Sequence, residues 1–175
     1  GNAFQGKTIK LVNDIDLNNV EWTPIGTKTN QFKGNLDGQS YTIKNLYIES
    51  ADNYQGLFGY ATGGTISNLI IENANVKGKS YVAAVTGCGF LTSHSNITVT
   101  GDVKIEGSGQ DIAVITGYTY ANTTTININV NEGSYVKGNS YFGSVVGYPG
   151  EGNTKFENIK SNIDVIGKQY MIGGI

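Results

Sequence analysis

The sequence predicts an all-β fold, a parallel β-solenoid built from coils of about thirty residues, and three observations carry that expectation. A glycine closes an apolar strand four times, at Gly59, Gly87, Gly117 and Gly147, and a second series runs through Gly78, Gly107, Gly138 and Gly167. Both series step by 28 to 31 residues, a period that belongs to solenoids, propellers and repeat arrays. Apolar and polar residues alternate in short runs, as in TININVN (125–131), where Ile126, Ile128 and Val130 are separated by asparagines. Period two marks half-buried strands, and no stretch holds the 3.6-residue period of a helix. Third, aligned units carry like residues at like places: Ile71, Val99, Val130 and Ile159; Val76, Ile105, Val136 and Val165; Ala74, Val103, Ser134 and Ile163. Such columns are expected when each coil lays its side chains on the coil below, about 4.8 Å away. A propeller blade needs four strands in about 40–50 residues, so a thirty-residue unit fits a coil better, and four to five coils are expected.

Taken in order, GKTIKLVNDIDL (6–17) alternates as a strand, with Ile9, Leu11, Ile15 and Leu17 as its apolar set. Pro24 and Gly26 in EWTPIGT then turn the chain. Residues 1–31 read as an N-terminal cap with the first strands of the solenoid, in which Trp22 helps plug the end, since terminal units of a solenoid are atypical. Asp37-Gly38 makes a tight turn between strands. Repeat coils follow at about 32–54, 55–81, 82–111, 112–141 and 142–171, within one domain. The final coil, QYMIGGI, leaves Met171, Ile172 and Ile175 at an edge that invites end-to-end pairing between copies.

Composition limits function. Of 175 residues only 15% are charged, every basic residue is lysine, and the formal balance of 12 lysines against 14 acids is −2. That is too small to steer the chain to nucleic acid or to acidic membranes, and no apolar run approaches the ~20 residues that span a bilayer. Cys88 is the single cysteine; with no cation or helix terminus in TGCGF to activate it, it reads as a small buried residue at a strand end.

The stretch DIDLNNVEWTPIGTKTNQFKGNLDGQSYTIKNLYI (14–48), followed by QGLFGYATGGTISNLIIENANVKG (55–78), resembles the GLUG-repeat region of bacterial surface proteins. The naming element is present as Gly56-Leu57-Phe58-Gly59; later units keep only its last glycine, as in Ala84-Val85-Thr86-Gly87. The resemblance implies a right-handed β-solenoid inside a large cell-surface or secreted protein, often classed as an adhesin. Similar repeats also accompany zinc peptidases that cleave immunoglobulin A1. It implies an extracellular or cell-surface setting, a host or cell-surface protein or glycan as partner, and no catalytic residue.

The residues offer little chemistry of their own. His94, the single histidine, sits in the polar stretch LTSHSNI and reads as a surface or turn residue, whereas zinc peptidases need two histidines one helical turn apart. Asp14, Asp16 and Asn18 alternate on one strand face, but the turn glycine and distal glutamate of a calcium loop are missing. Catalytic residues, metal ligands and cofactors are therefore expected to be none. Two readings of function remain: a noncatalytic structural or adhesive repeat module, or a carbohydrate-active β-helix (lyase or hydrolase) or peptidase accessory domain. A carbohydrate-active enzyme clusters its carboxylates along one groove, and Glu72, Asp102, Glu106, Glu132, Glu157 and Asp164 fall in different columns. The candidate binding residues are Tyr81, Tyr141 and Tyr170, three residues after successive glycines, with Gln110 replacing the aromatic between them. Rings so placed line up along the rod and either bind a sugar or partner or stabilise a corner.

Overall fold

A computed structural model describes residues 4–167 and 172–173 of the chain. Among them there is no helix, and every strand pairs in parallel with its counterpart one coil away. One register line passes Ile15, Ile43, Ile71, Val99, Val130 and Ser161. The steps of 28, 28, 28, 31 and 31 residues define six turns, at the ~4.8 Å rise of paired strands. The expected four to five coils become six because residues 4–31 wind a turn of their own. Thr8–Lys10 pairs with Asn35–Asp37, Ile15–Asp16 with Thr42–Glu49, and Ile25 bridges Phe58. That turn is thinly covered, with Val12 75% and Val20 66% exposed. Trp22 packs partly buried against the core and donates from Nε1 to the Leu57 carbonyl, 3.1 Å away.

Three sheets enclose the core. The largest has 11 strands and includes Thr65–Gly78, Ser93–Thr100, Thr123–Val130 and Thr154–Ser161. The second stacks Phe58–Thr62, Thr86–Phe90, Thr116–Tyr120 and Val146–Pro149. The third stacks Gln110–Ile112, Ser140–Gly143 and Ile172–Gly173. Leu46, Ile66, Leu69, Ile71, Ile97, Ile105, Ile112, Ile115 and Ile128 fill the interior, each almost wholly buried. The column Val76, Ile105, Val136, Val165 pairs as the sequence suggests.

One column is corrected. Val130 lies opposite Ser161, and Ile159 lies opposite Ile128. The link from Val130 to Val136 is two residues longer than its counterpart from Ser161 to Val165. A change of two residues preserves which side chains face inward, so the core survives the shift.

Asparagines turn the corners of the largest sheet. Asn45, Asn68, Asn73, Asn96, Asn127 and Asn158 all take positive φ between 52° and 58°, a conformation asparagine visits more readily than other side-chain-bearing residues. Their side chains then meet one coil apart. Asn158 Nδ2 donates to Asn127 Oδ1 (2.9 Å), Asn127 to Asn96 (2.8 Å), Asn96 to Asn68 (2.9 Å), and Asn68 to the Asp37 carboxylate (2.9 Å). A second, shorter ladder runs from Asn73 through Asn45 to Asp16. Each ladder ends on a carboxylate, an acceptor-only group that closes a chain of donors. The amide of Asn68 beside Asp37, and the Asn18 backbone N–H with the Asn45 amide beside Asp16, hold both acids below the ordinary carboxylate range.

The interior changes character along the rod. Leu36 and Ile66 are followed at the same place by His94 and Thr125, and Phe58 by Thr86 and Thr116. His94 is thus fully buried and not a surface residue, which corrects the sequence expectation. Its Nε2 lies 2.9 Å from Thr86 Oγ1, while Nδ1 has no partner. Burial lowers its pKa to about 4.

Candidate functional site: an aromatic strip interrupted by a buried acid

Where the third sheet hands over to the second, each coil makes a corner through one residue of positive φ: Tyr54 (66°), Tyr81 (60°), Asp111 (63°) and Tyr141 (50°). For tyrosine this is an uncommon, strained backbone state. The closing glycines explain why it persists. A Cβ at Gly59 would fall 2.7 Å from the Tyr54 carbonyl oxygen, one at Gly87 2.5 Å from that of Tyr81, and one at Gly117 would strike that of Asp111. The corner carbonyl therefore seats directly on a glycine, and the repeated glycine is a packing requirement.

The bridge between Val82 and Ile112, and the pairing of Ile112 with Phe142, set the register of the corner. Asp111, not Gln110, stands in the tyrosine column. The loop after Gly107 holds one residue more than the loops after Gly78 and Gly138, so a count of three from those glycines lands one place short. The same arithmetic hides Tyr54, which lies five residues before its closing glycine whereas Tyr81, Asp111 and Tyr141 lie six before theirs. Tyr170 lies outside the described residues, as do Met171 and Ile175 of the expected C-terminal edge.

Beside this corner column runs a second one on the sheet surface: Tyr60, Cys88, Tyr118 and Tyr148 occupy equivalent register positions. The two columns interlock. Tyr54 and Tyr81 stack with centroids 4.7 Å apart and planes 9° from parallel. Tyr118 meets Tyr81 edge-on at 5.8 Å and 88°, and Tyr141 contacts Tyr148 at 5.1 Å. Phe90 and Tyr120 stack alongside at 5.1 Å. The rings of Tyr54 and Tyr81 thus lie across the rod axis, faces turned to one another, which differs from a row of flat platforms facing outward.

Asp111 interrupts this array. The residue is 1% exposed, its Oδ2 accepts a 3.2 Å hydrogen bond from Gln110 Nε2, and its Oδ1 has no partner. Among the described residues it makes no ion pair. Burial pushes its carboxyl up to about 6, opposed only by the Gln110 amide. Its charge in turn raises Tyr81, Cys88 and Tyr118, though burial is the leading cause for all three. Cys88 is 4% exposed and its thiol is pushed up to about 12, chiefly by burial. It interacts with the Tyr60 hydroxyl, whose own pKa burial lifts to about 12. Cys88 is a small buried residue, as the sequence suggested.

Of the acids singled out for metal binding or catalysis, Asp14, Asp16, Glu72, Asp102, Glu106 and Glu157 are engaged elsewhere, whereas Glu132 and Asp164 line one open surface pocket with Tyr135 and Asn162. Asp14 Oδ1 accepts from the Thr42 N–H at 2.8 Å, and Asp16 Oδ1 from the Asn18 N–H at 2.8 Å. Asp14, through the Thr42 N–H, and Asp16, which also accepts from the Asn45 amide, thus tie the first turn to the second. Glu72 pairs with Lys44 (3.3 Å), Glu49 with Lys77 (2.5 Å), Asp102 with Lys104 (2.6 Å) and Glu157 with Lys155. Glu106 accepts from the Tyr135 hydroxyl at 2.5 Å. Among the described residues no group of three or more His, Cys, Asp or Glu is placed to hold a metal ion.

No family model matches the sequence. It is 33% identical over 134 residues to a protein of Evansella cellulosilytica described as a "Putative Gly-rich membrane protein", covering 72% of this chain and 12% of that one. It is 34% identical over 114 residues to the halomucin of Haloquadratum walsbyi, covering 58% of this chain and 1% of that one. The chain therefore spans a small part of the curated relatives it matches. In fold it is similar to the crystal structure of a "putative immunoglobulin A1 protease" from Bacteroides ovatus. The TM-score is 0.54 at 17% identity, over 93% of this chain and 61% of that one. At that identity the likeness concerns the fold alone.

Proposed function

We propose that this chain is a noncatalytic structural and adhesive module of a bacterial cell-surface or secreted protein. It projects along its rod and offers the tyrosine strip to a host or cell-surface partner, protein or glycan. The observation that carries the reading is the strip itself: half-exposed Tyr54, Tyr60, Tyr81, Tyr118 and Tyr141, with exposed Tyr148, form one continuous surface over successive coils. Tyrosine is the residue most suited to such a face, since it contributes a large contact area at low conformational cost and keeps a polar tip in water. The names of the two relatives, a membrane protein and a halomucin, support an extracellular setting.

The carbohydrate-active reading is weakened by the ion pairs. Glu49, Glu72, Asp102 and Glu157 each sit against a lysine and not against one another, whereas glycoside hydrolysis needs two carboxyls facing one bond. The test has two arms. Beads carrying the chain are scored for retention on cell surfaces and matrix glycoproteins, with Tyr81→Ser/Tyr141→Ser as the comparison. Incubation with a polysaccharide panel is scored for new reducing ends or unsaturated products. Retention lost in the variant, without turnover, supports the module; turnover lost on mutating carboxylates overturns it.

A further inference from the structure

The interruption of the tyrosine column has a chemical meaning of its own. A buried carboxyl with no ion pair and one oxygen without a hydrogen bond is expensive. Nothing in the fold demands it, because three other coils form the same corner with tyrosine. Replacing a ring by a two-carbon acid also removes one ring from the stack. Tyr81 stacks on Tyr54 on one side and looks across the Asp111 rung on the other, where Tyr118 fills the gap edge-on. The groups that feel the carboxyl are uncharged: the rings of Tyr81 and Tyr118, the protonated thiol of Cys88 and the amide of Gln110. The charge of Lys28 acts on the neighbouring Cys88.

We propose that the break at Asp111 is a binding site for an organic ammonium ion, held between the rings of Tyr81, Tyr118 and Tyr141 with the Asp111 carboxylate as its counter-ion. Ring faces attract a desolvated cation through their quadrupole, and an alkylated ammonium surrenders its hydration more readily than a metal ion does. The orphan Oδ1 supplies the charge that an aromatic cage alone lacks. Entry requires Tyr118, a half-exposed side chain, to change rotamer, a motion of picoseconds to nanoseconds. Burial holds the proton on this carboxyl up to about 6, and a bound ammonium would draw it to the ionised form. This goes beyond the adhesive reading by naming a ligand class and a residue at one rung, and it stands if the module adheres through other residues.

The ammonium has two plausible sources with the same chemistry, a quaternary headgroup and the primary amine of a lysine side chain, and separate probes distinguish them. The full chain is titrated at pH 7.5 and constant ionic strength with choline, with n-butylamine, and with 3,3-dimethylbutan-1-ol, the neutral isostere of choline. Binding is read by NMR chemical shifts of the tyrosine rings and by the ¹³C titration of the Asp111 carboxyl. Saturable binding of one amine, weakened at least about tenfold in Asp111→Asn and in the neutral alcohol, supports the site. The same amine lowers the Asp111 pKa. Asn tolerates positive φ and removes a buried acid, so circular dichroism and unfolding are expected to show Asp111→Asn folded. Preference for choline assigns a quaternary source, preference for butylamine a lysine-like one. Absence of saturable binding overturns the proposal, as does equal binding of the alcohol or of Asp111→Asn. Sugar binding that depends on Asp111, without amine binding, overturns it in favour of a neutral glycan.

Discussion

Two buried titratable groups give this rod a pH dependence that cancels in the wild type and appears when either is removed. His94 titrates at 6.5 when unfolded and about 4 when folded. Between those values the unfolded chain binds the extra proton, so stability rises with pH and is lost as pH falls from 6.5 to 4. At 1.36 kcal/mol per pH unit, the full effect is about 3 kcal/mol. Asp111 runs the other way. Its carboxyl titrates at 3.8 when unfolded and about 6 when folded. The folded state binds the extra proton in that window, and stability falls as pH rises from about 4 to 6, again by about 3 kcal/mol at most. The exposed acids Asp16 and Asp37, with lowered pKa values, act below this range. Urea unfolding followed by Trp22 fluorescence, at half-unit steps from pH 4 to 7, is expected to give a nearly flat curve for the wild type. His94→Gln keeps a polar partner for Thr86 and cannot charge, so its stability should climb on acidification by about 2–3 kcal/mol. Asp111→Asn should lose a similar amount on acidification. Parallel curves for wild type and both variants would refute the burial of these two groups as drawn.

Three further outcomes follow from the packing. Gly87→Ala drives a methyl onto the Tyr81 carbonyl and should cost more than about 2 kcal/mol in chemical denaturation, against a much smaller cost for Gly89→Ala, where φ is ordinary and the nearest atom, Thr92 Cβ, lies 3.4 Å from the added methyl. Asn127 takes positive φ (53°), donates to Asn96 and accepts from Asn158. Asn127→Ala should lose both ladder and conformation, while Asn127→Gly recovers the conformational part, about 1 kcal/mol. Cys88, buried with its thiol pushed up to about 12, should react with a disulfide reagent at pH 8 only as fast as the chain unfolds; rapid labelling of the folded protein would contradict its place in the strip.

The fold was legible because a solenoid writes its geometry into the sequence twice, as the glycine spacing and as the alternation of each strand. What stayed hidden lies where the alternation changes phase. In Ser93–Thr100 the inward residues are His94, Ile97 and Val99. Counting back by twos from Val99 and Ile97 gives Ser95, but Asn96 at positive φ (53°) takes an extra step and turns His94 inward. The polar neighbours of His94 made the stretch look external, since the core there is threonine. The Asn ladders were hidden for a related reason: asparagine reads as a turn residue, and only stacking at one register brings the amides within hydrogen-bond reach.

The site was harder to see because its signal is a departure from the repeat and not the repeat itself. Where like residues recur, stacking explains them: Val76 on Ile105 on Val136, or Asn96 on Asn127. Asp111 in a tyrosine column, and His94 beneath a leucine and an isoleucine, are not explained by stacking. Each buries a polar atom without a partner, Asp111 Oδ1 and His94 Nδ1, at a cost that Tyr81 and Tyr141, or Ile66 and Thr125, avoid at the same places in adjacent coils. Both also lie in coils four and five of the six, where the interior has turned to threonine. A rod assembled from near-identical coils can carry such costs locally, because each coil is stabilised by its neighbours on both sides. An unpaired acid such as Asp111 is therefore tolerated in a rung flanked by coils on both sides, and it is at that rung that the proposed ammonium would bind.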